Sequence, residues 1–209
     1  MIQLVNTEGL LLIISGPSGS GKGTVIKQLI CDDFALSISM TTRQPRVGEV
    51  SGVDYIFCTE EEFMKTREEG GFLEHATFSG NFYGTPRSYV DIMRAEGKTV
   101  VLEIEVVGAL QVKEKYPDAT LIFLMPPSFE DLRERLKGRG TEGDDEIERR
   151  INRAQEEVKE MDKYDYFVIN DVIEDALADI RAIARAEKSK PARMQGKIWG
   201  FCGNNLENF

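Results

Sequence analysis

No apolar stretch in this 209-residue chain approaches the roughly 20 residues of a membrane-spanning helix, so a spanning segment is not expected. The N-terminus, Met1 to Gly9, lacks a basic region and a cleavage site, and a secretory signal is not expected either. Cysteine is scarce. Cys31, Cys58 and Cys202 are odd in number and far apart, which argues against a disulfide framework and gives no paired metal spacing. A reducing, cytoplasmic setting fits this usage best. Positive charge is also short, with 26 Lys and Arg against 36 Asp and Glu and a net charge of −10. That balance argues against general nucleic-acid binding. An acidic protein that binds anions must concentrate cations locally, so the placement of its arginines becomes informative. There is no internal repeat.

What is present begins with Gly16-Pro17-Ser18-Gly19-Ser20-Gly21-Lys22-Gly23-Thr24. It follows the apolar run Leu10–Ile14 and leads into Val25–Ile30. The order strand, glycine loop, helix makes a phosphate cradle. Glycines let successive N–H groups turn inward, the helix N-terminus adds its positive dipole end, and Lys22 adds a full charge. Loop residues 16–24 are therefore expected to bind a nucleoside triphosphate. The hydroxyl usual after the lysine is absent because Gly23 stands there. Thr24, one place on, is the candidate magnesium partner.

Strand-like runs recur at Leu10–Ser15, Ala35–Met40, Thr99–Glu105, Ala119–Met125 and Tyr166–Asn170, mostly separated by helical patterns. This alternation predicts an α/β fold with three layers, a parallel sheet covered on both faces. Thr85-Pro86 reads as an N-cap and first-turn proline of a helix through Ala95. Ser128 to Asp131 reads as a variant capping box for a helix ending near Gly138. Two segments break the alternation. Residues 37–84 carry short strands (Asp54–Cys58, Phe72–Phe78) around a polar helix (Glu60–Glu69), which predicts a small mixed insertion. Residues 133–153 are highly charged, with glycine hinges, and read either as a mobile lid or as a solvated helix pair. The expected division is a core of 1–36, 86–131 and 154–188, an inserted domain of 37–85 and a lid of 132–153. The tail 189–209 carries Gly, Asn and Pro without periodicity and reads either as disordered or as docked through Ile198-Trp199 and Phe201.

Beside the glycine loop the chain carries Ser39-Met-Thr-Thr-Arg43-Gln-Pro-Arg46-Val-Gly-Glu49, Gly52-Val-Asp-Tyr55, Phe72-Leu-Glu74, Gly80-Asn-Phe-Tyr83-Gly-Thr85, Leu102-Glu-Ile-Glu105, Arg135-Leu-Lys-Gly-Arg139-Gly-Thr141 and Val168-Ile-Asn170-Asp. On these motifs, over roughly residues 9–187, it resembles the guanylate kinase family. The loop alone is shared by many families; the Thr-Thr-Arg-x-Pro-Arg block with the later Tyr-Gly-Thr is far more specific. The resemblance implies a phosphate-loop core, an inserted GMP-binding domain and a helical lid over ATP. It also implies phosphoryl transfer from ATP to GMP with Mg2+, in a monomer or homodimer. Inactive phosphopeptide-binding domains of scaffold proteins, and kinases for another nucleotide, are the competing readings.

Guanine presents two donors, N1–H and the N2 amino group, beside the acceptor O6. Glu74 resembles the family's guanine-reading carboxylate, which accepts both donors, and Ser39 is placed to donate to O6. Taken without the resemblance, Glu74 reads as an exposed strand glutamate. Arg43 and Arg46 bracket Pro45 in a stiff loop suited to the GMP phosphate. Tyr55, Tyr83 and Thr85 add hydroxyls, as they do in the family. The attacking GMP oxygen is already ionised at neutral pH, so no general base is expected. Lys22 is expected to hold the ATP phosphates, with Arg135, Arg139 and Arg150 closing over the transferring group. Asn170 is expected near adenine. Glu103 and Glu105 alternate at the end of one strand and so point to one side. Glu103 is expected to order magnesium water and Glu105 to reach GMP. The family usually has Asp at 105 and Gln at 107, where this chain has Glu105 and Val107. His75, the only histidine, points away from Glu74's face and reads as structural.

Overall fold

A computed structural model describes residues 8–31, 33–78, 80–138 and 143–194. The chain opens with β1 (Leu11–Ser15), the phosphate loop and α1 (Lys22–Leu29). β2 (Phe34–Leu36) precedes an insertion made of β3 (Met40–Thr41), β4 (Ile56–Phe57), α2 (Glu60–Glu68), β5 (Phe72–Phe78) and β6 (Asn81–Pro86). Then follow α3 (Arg87–Ala95), β7 (Thr99–Glu103), α4 (Val106–Lys115), β8 (Thr120–Met125), α5 (Phe129–Gly138), α6 (Asp144–Val158), β9 (Tyr166–Ile169) and α7 (Ile173–Lys188).

The core sheet runs β2-β7-β1-β8-β9, and each pairing in it is parallel. All five residues of β1 are buried, as a central strand covered on both faces requires. Period-two alternation sends Leu12 and Ile14 to one face, where they pack with Val25, Leu29, Leu177 and Ile180 of α1 and α7. Leu11 and Ile13 pack on the other face with Val90, Ala109 and Val112 of α3 and α4. This is the expected α/β fold, with helix, sheet and helix layers. The second sheet, β4-β3-β6-β5, is mixed: β3 and β4 are parallel, and β6 is antiparallel to both β3 and β5.

The expected strand Ala35–Met40 does not exist as one element. Its first half pairs with β7 in the core, and Met40 pairs with β6 in the insertion. The apolar run is divided between two sheets at Ser37, whose N–H still bonds to the carbonyl of Val101. Thr85 is likewise not a helix cap. It lies within β6, and Pro86, the last residue of that strand, occupies the N-cap position. The capping signal at Ser128 is present, with the Asp131 N–H on its hydroxyl at 3.0 Å. A reciprocal capping box, Thr59 with Glu62, opens α2.

α5 and α6 bury one apolar stripe against each other, through Leu132, Leu136, Ile147, Ile151 and Ala154. These helices extend beyond the expected 132–153 at both ends. Part of the tail is ordered: residues 191–194 form a helical turn, and Arg193 bonds to Asp118. Residues 195–209 lie outside the described residues.

Candidate active site

The phosphate loop leaves β1 at Gly16, whose φ of 142° lies in the region that favours glycine. A Cβ there would stand 2.2 Å from the carbonyl oxygen of Leu124 on β8. Gly21, at φ 91°, precedes α1, and a Cβ there would stand 2.3 Å from Nδ2 of Asn170. Both positions are closed to side chains by backbone angle and by neighbour. Gly16→Ala is therefore expected to lower stability by about 1–3 kcal/mol or more, read as a shift in the urea unfolding midpoint. α1 has no acidic residue in its first turn, so its N-terminal positive potential is not offset there. Lys22 folds back along the loop, donating to the carbonyls of Gly16 at 2.6 Å and Pro17 at 3.0 Å.

Two helices bring arginines to this loop. Arg150 of α6 donates to Ser18 Oγ at 2.7 Å, and Arg135 of α5 donates to the carbonyl of Asn170 at 2.8 Å. Asn170 is buried, and its amide donates to the Ser20 carbonyl at 2.8 Å. One N–H of that amide is thus taken by the loop. Arg139 and Thr141 lie outside the described residues. Gly19 sits over Leu132 and Leu136 of α5, Ser20 is buried, and Gly23 and Thr24 are exposed.

β7 ends at Glu103, and Glu105 is already the N-cap residue of α4. The two carboxylates therefore do not share one strand face. Glu103 faces the phosphate loop, with both its oxygens 3.8 Å from where a Cβ on Gly23 would stand. Protein crowds this carboxyl yet leaves it open to water on one side. Burial pushes it up, and the Lys22 charge opposes that shift. Glu105 turns instead toward α6, pairing with Arg153 at 2.8 Å. Val107 is exposed on the first turn of α4.

A second group of polar residues belongs to the insertion. Glu74 on β5 is only 4% exposed, which excludes the exposed-strand reading. Thr85 Oγ1 donates to its Oε1 at 2.6 Å, and Gly108 of α4 leaves room for Oε2, which a Cβ there would meet at 3.0 Å. Burial pushes the Glu74 carboxyl up; the Thr85 hydrogen bonds and the Lys115 charge oppose that shift. Ser39 lies half-buried between β2 and β3. His75 pairs across the sheet with Gly84, its ring edge-on to Phe72.

Arg43 stands 5.3 Å from the centre of the Tyr55 ring, and Tyr55 meets Tyr83 edge to face at 6.1 Å. Glu49 organises this corner. It pairs with Arg43 at 3.0 Å and accepts the backbone N–H of Arg46 at 2.8 Å. The Arg43 guanidinium holds its carboxyl below the usual range. Glu49 was legible only as part of a motif; the signal for its role is a carboxylate three residues past Arg46 in a proline-stiffened loop. Burial pushes the Tyr55 phenol up, and the Glu103 charge adds to that shift. Glu103, at the end of β7, faces Gly23 of the phosphate loop, and Gly108 of α4, the helix that follows, faces Glu74 of the insertion. The connection from β7 into α4 thus meets both groups of polar residues.

Comparison with known proteins places the geometry in a family. The family model for guanylate kinase matches residues 8–187. The guanylate kinase of Clostridium perfringens (strain SM101 / Type A) is 50% identical over 195 residues, covering 92% of this chain and 90% of that protein. The enzyme of strain 13 / Type A matches at the same identity and coverage. The crystal structure of guanylate kinase from Anaplasma phagocytophilum superposes with a TM-score of 0.74 at 34% identity, covering 90% of each chain.

Proposed function

This chain belongs to the guanylate kinase family, and from that premise we propose that it transfers the γ-phosphoryl group of ATP to GMP, yielding ADP and GDP for purine nucleotide recycling. The single observation that best supports this reading is that the connection from β7 into α4 meets both the phosphate loop, through Glu103 and Gly23, and the buried Glu74 of the insertion, through Gly108. A triphosphate cradle and a carboxylate for the acceptor base beside one connection suit transfer between two nucleotides.

The donor seat is the loop 16–24. Its backbone N–H groups cradle the ATP phosphates, and Lys22 exchanges its loop carbonyls for the β- and γ-phosphates. The acceptor seat takes the GMP phosphate on Arg43, Arg46, Tyr55 and Tyr83. Glu74 reads the guanine edge. Thr85 supplies one donor to Oε1, leaving the remaining lone pairs for N1–H and N2–H. Ser39 donates to O6. A phosphate oxygen of GMP attacks the γ-phosphorus, the bond to the β–γ bridging oxygen breaks, and ADP leaves. Arg135 and Arg150, with Arg139, neutralise the charge that spreads over the transferring group.

Mg2+ fits the donor set. Glu103 offers hard oxygens opposite Gly23, and Thr24 offers a hydroxyl one residue on. Among the described residues no three His, Cys, Asp or Glu side chains cluster as a cage. Mg2+ is commonly held by one or two carboxylates plus substrate phosphates and water. When bound, the ion would supply charge neutralisation at the β- and γ-phosphates.

The division into a core, a GMP-binding insertion and a lid over ATP is part of this proposal, as is closure of each part on its own nucleotide. No described helix is long and apolar enough to cross a membrane. A cytoplasmic setting rests on the cysteine usage alone. An ADP-release assay with GMP, AMP, CMP and UMP as acceptors tests the activity. GMP is expected to support turnover well above the others; turnover with AMP and none with GMP would overturn the reading.

A further inference from the structure

Arg153 has no part in the roles assigned above, yet its guanidinium touches three separate segments. Nη2 donates to Glu105 Oε2 at 2.8 Å, at the N-cap of α4 in the core. Nε donates to Glu157 Oε1 at 3.0 Å, one turn along its own helix α6. Its cationic centre lies 5.2 Å from the centre of the Phe78 ring, at the end of β5 in the insertion. Phe78 continues the contact inward. It meets Tyr83 edge to face at 6.5 Å, Tyr83 meets Tyr55 at 6.1 Å, and Arg43 lies over Tyr55. One turn earlier in the same helix, Arg150 reaches Ser18 of the phosphate loop.

We propose that Arg153 is a positioning residue through which GMP and ATP promote each other's binding. The inference rests on the functional reading above and names residues that couple its two seats. GMP seated on Arg43, Tyr55 and Tyr83 would fix those rings, and Phe78 with them. Phe78 and Glu105 then hold Arg153 from two sides, which orders α6 and keeps Arg150 over the phosphate loop. The ordering cost met by the first nucleotide is not met again by the second, and that is positive linkage. Arginine suits the task because one planar fork serves two carboxylates and an aromatic face at once. The contacts form one continuous chain of groups between the two seats, and the coupling between those seats is the quantity to measure.

The measurement is the dissociation constant of GMP by titration calorimetry, with and without saturating β,γ-methylene ATP and Mg2+. In the unmodified protein the ATP analogue is expected to tighten GMP roughly 5-fold or more. In Arg153→Ala that ratio is expected to fall toward one, while GMP alone binds within about threefold of the original affinity. Arg153→Lys should recover part of the ratio, since the ion pairs persist and the fork does not. Phe78→Leu, which keeps apolar volume and loses the ring face, is a second and independent break in the same relay and should also lower the ratio. A ratio in Arg153→Ala and Phe78→Leu equal to that of the unmodified protein would overturn the proposal, as would a ratio of one in the unmodified protein. Failure of the unmodified protein to bind GMP at all would instead overturn the functional reading.

Discussion

Lys22→Ala is expected to lower kcat/KM for GMP-dependent ADP release by about 10³-fold, the scale set by removing one preorganised charge from a phosphoryl-transfer site. The ammonium is held at the centre of the loop by two carbonyls of that loop, at 2.6 and 3.0 Å. Those carbonyls keep the ammonium at the loop until the phosphates arrive, and it then exchanges them for phosphate oxygens. The surroundings raise its importance. The chain carries a net charge of −10, and Glu103 lies across from the start of α1. Without Lys22, the ATP phosphates would meet that carboxylate with less local compensation. Lys22→Arg is not expected to rescue, because a planar fork does not replace a compact ammonium between two converging carbonyls. The folded state should change little, since the residue is only half-buried. A melting temperature within a few degrees of the original, alongside the loss of activity, would separate the two effects. Retention of kcat/KM within threefold would remove Lys22 from the proposed machinery.

How far such a site can be read from sequence depends on whether the relevant force is local. The strand Leu11–Ser15, the loop and α1 were legible because a strand buried on both faces is written as a continuous apolar run. The split of Ala35–Met40 was not, because alternation of apolar residues with Ser37 and Ser39 reads as one half-buried strand and does not mark where the chain changes sheets. Thr85 carries a genuine cap signal beside Pro86. Its hydroxyl is instead taken by the buried Glu74 carboxylate, and a charge-assisted hydrogen bond in a dry place outweighs a cap worth about 1 kcal/mol. Glu105 read as the continuation of β7 because Thr99 to Glu105 alternates like a strand. The chain turns into α4 after Glu103, and Arg153, 48 positions away, takes the second carboxylate. Long-range pairs of this kind leave no trace in spacing. For the same reason Asn170, legible as a motif residue, gave no sign that its amide would clamp Ser20 across 150 positions.

Glu74→Gln is expected to weaken GMP as a substrate by about 10²-fold in kcat/KM, the loss of one or two charge-assisted hydrogen bonds in a buried site. The neutral amide would set its N–H group either against a guanine donor or toward a Thr85 hydroxyl that must turn from donating to accepting. Discrimination against AMP should narrow, because adenine offers a donor and an acceptor that an amide can match. The pH dependence gives a sharper signature. Burial pushes the Glu74 carboxyl above its ordinary value of 4.5, with Thr85 and Lys115 opposing. The protonated form has lost the acceptor that guanine needs, so GMP binding should weaken as pH falls through the raised value. Folding stability runs the other way. Between the unfolded and the raised folded pKa the native state binds more protons than the unfolded state. The contribution of this group to stability is therefore complete below the unfolded value and is lost as pH rises through the folded one. Glu74→Gln has no such proton to lose. Its stability relative to the unmodified protein should accordingly climb as pH rises from about 4 toward neutrality, while its GMP affinity stays low throughout. The slope of that difference is the readout, since the amide's own misfit shifts both ends equally. A slope of zero, with GMP affinity unchanged, would put the carboxylate in water and remove it from the guanine seat. Opposite slopes for stability and GMP affinity are what a carboxylate kept buried for recognition should produce.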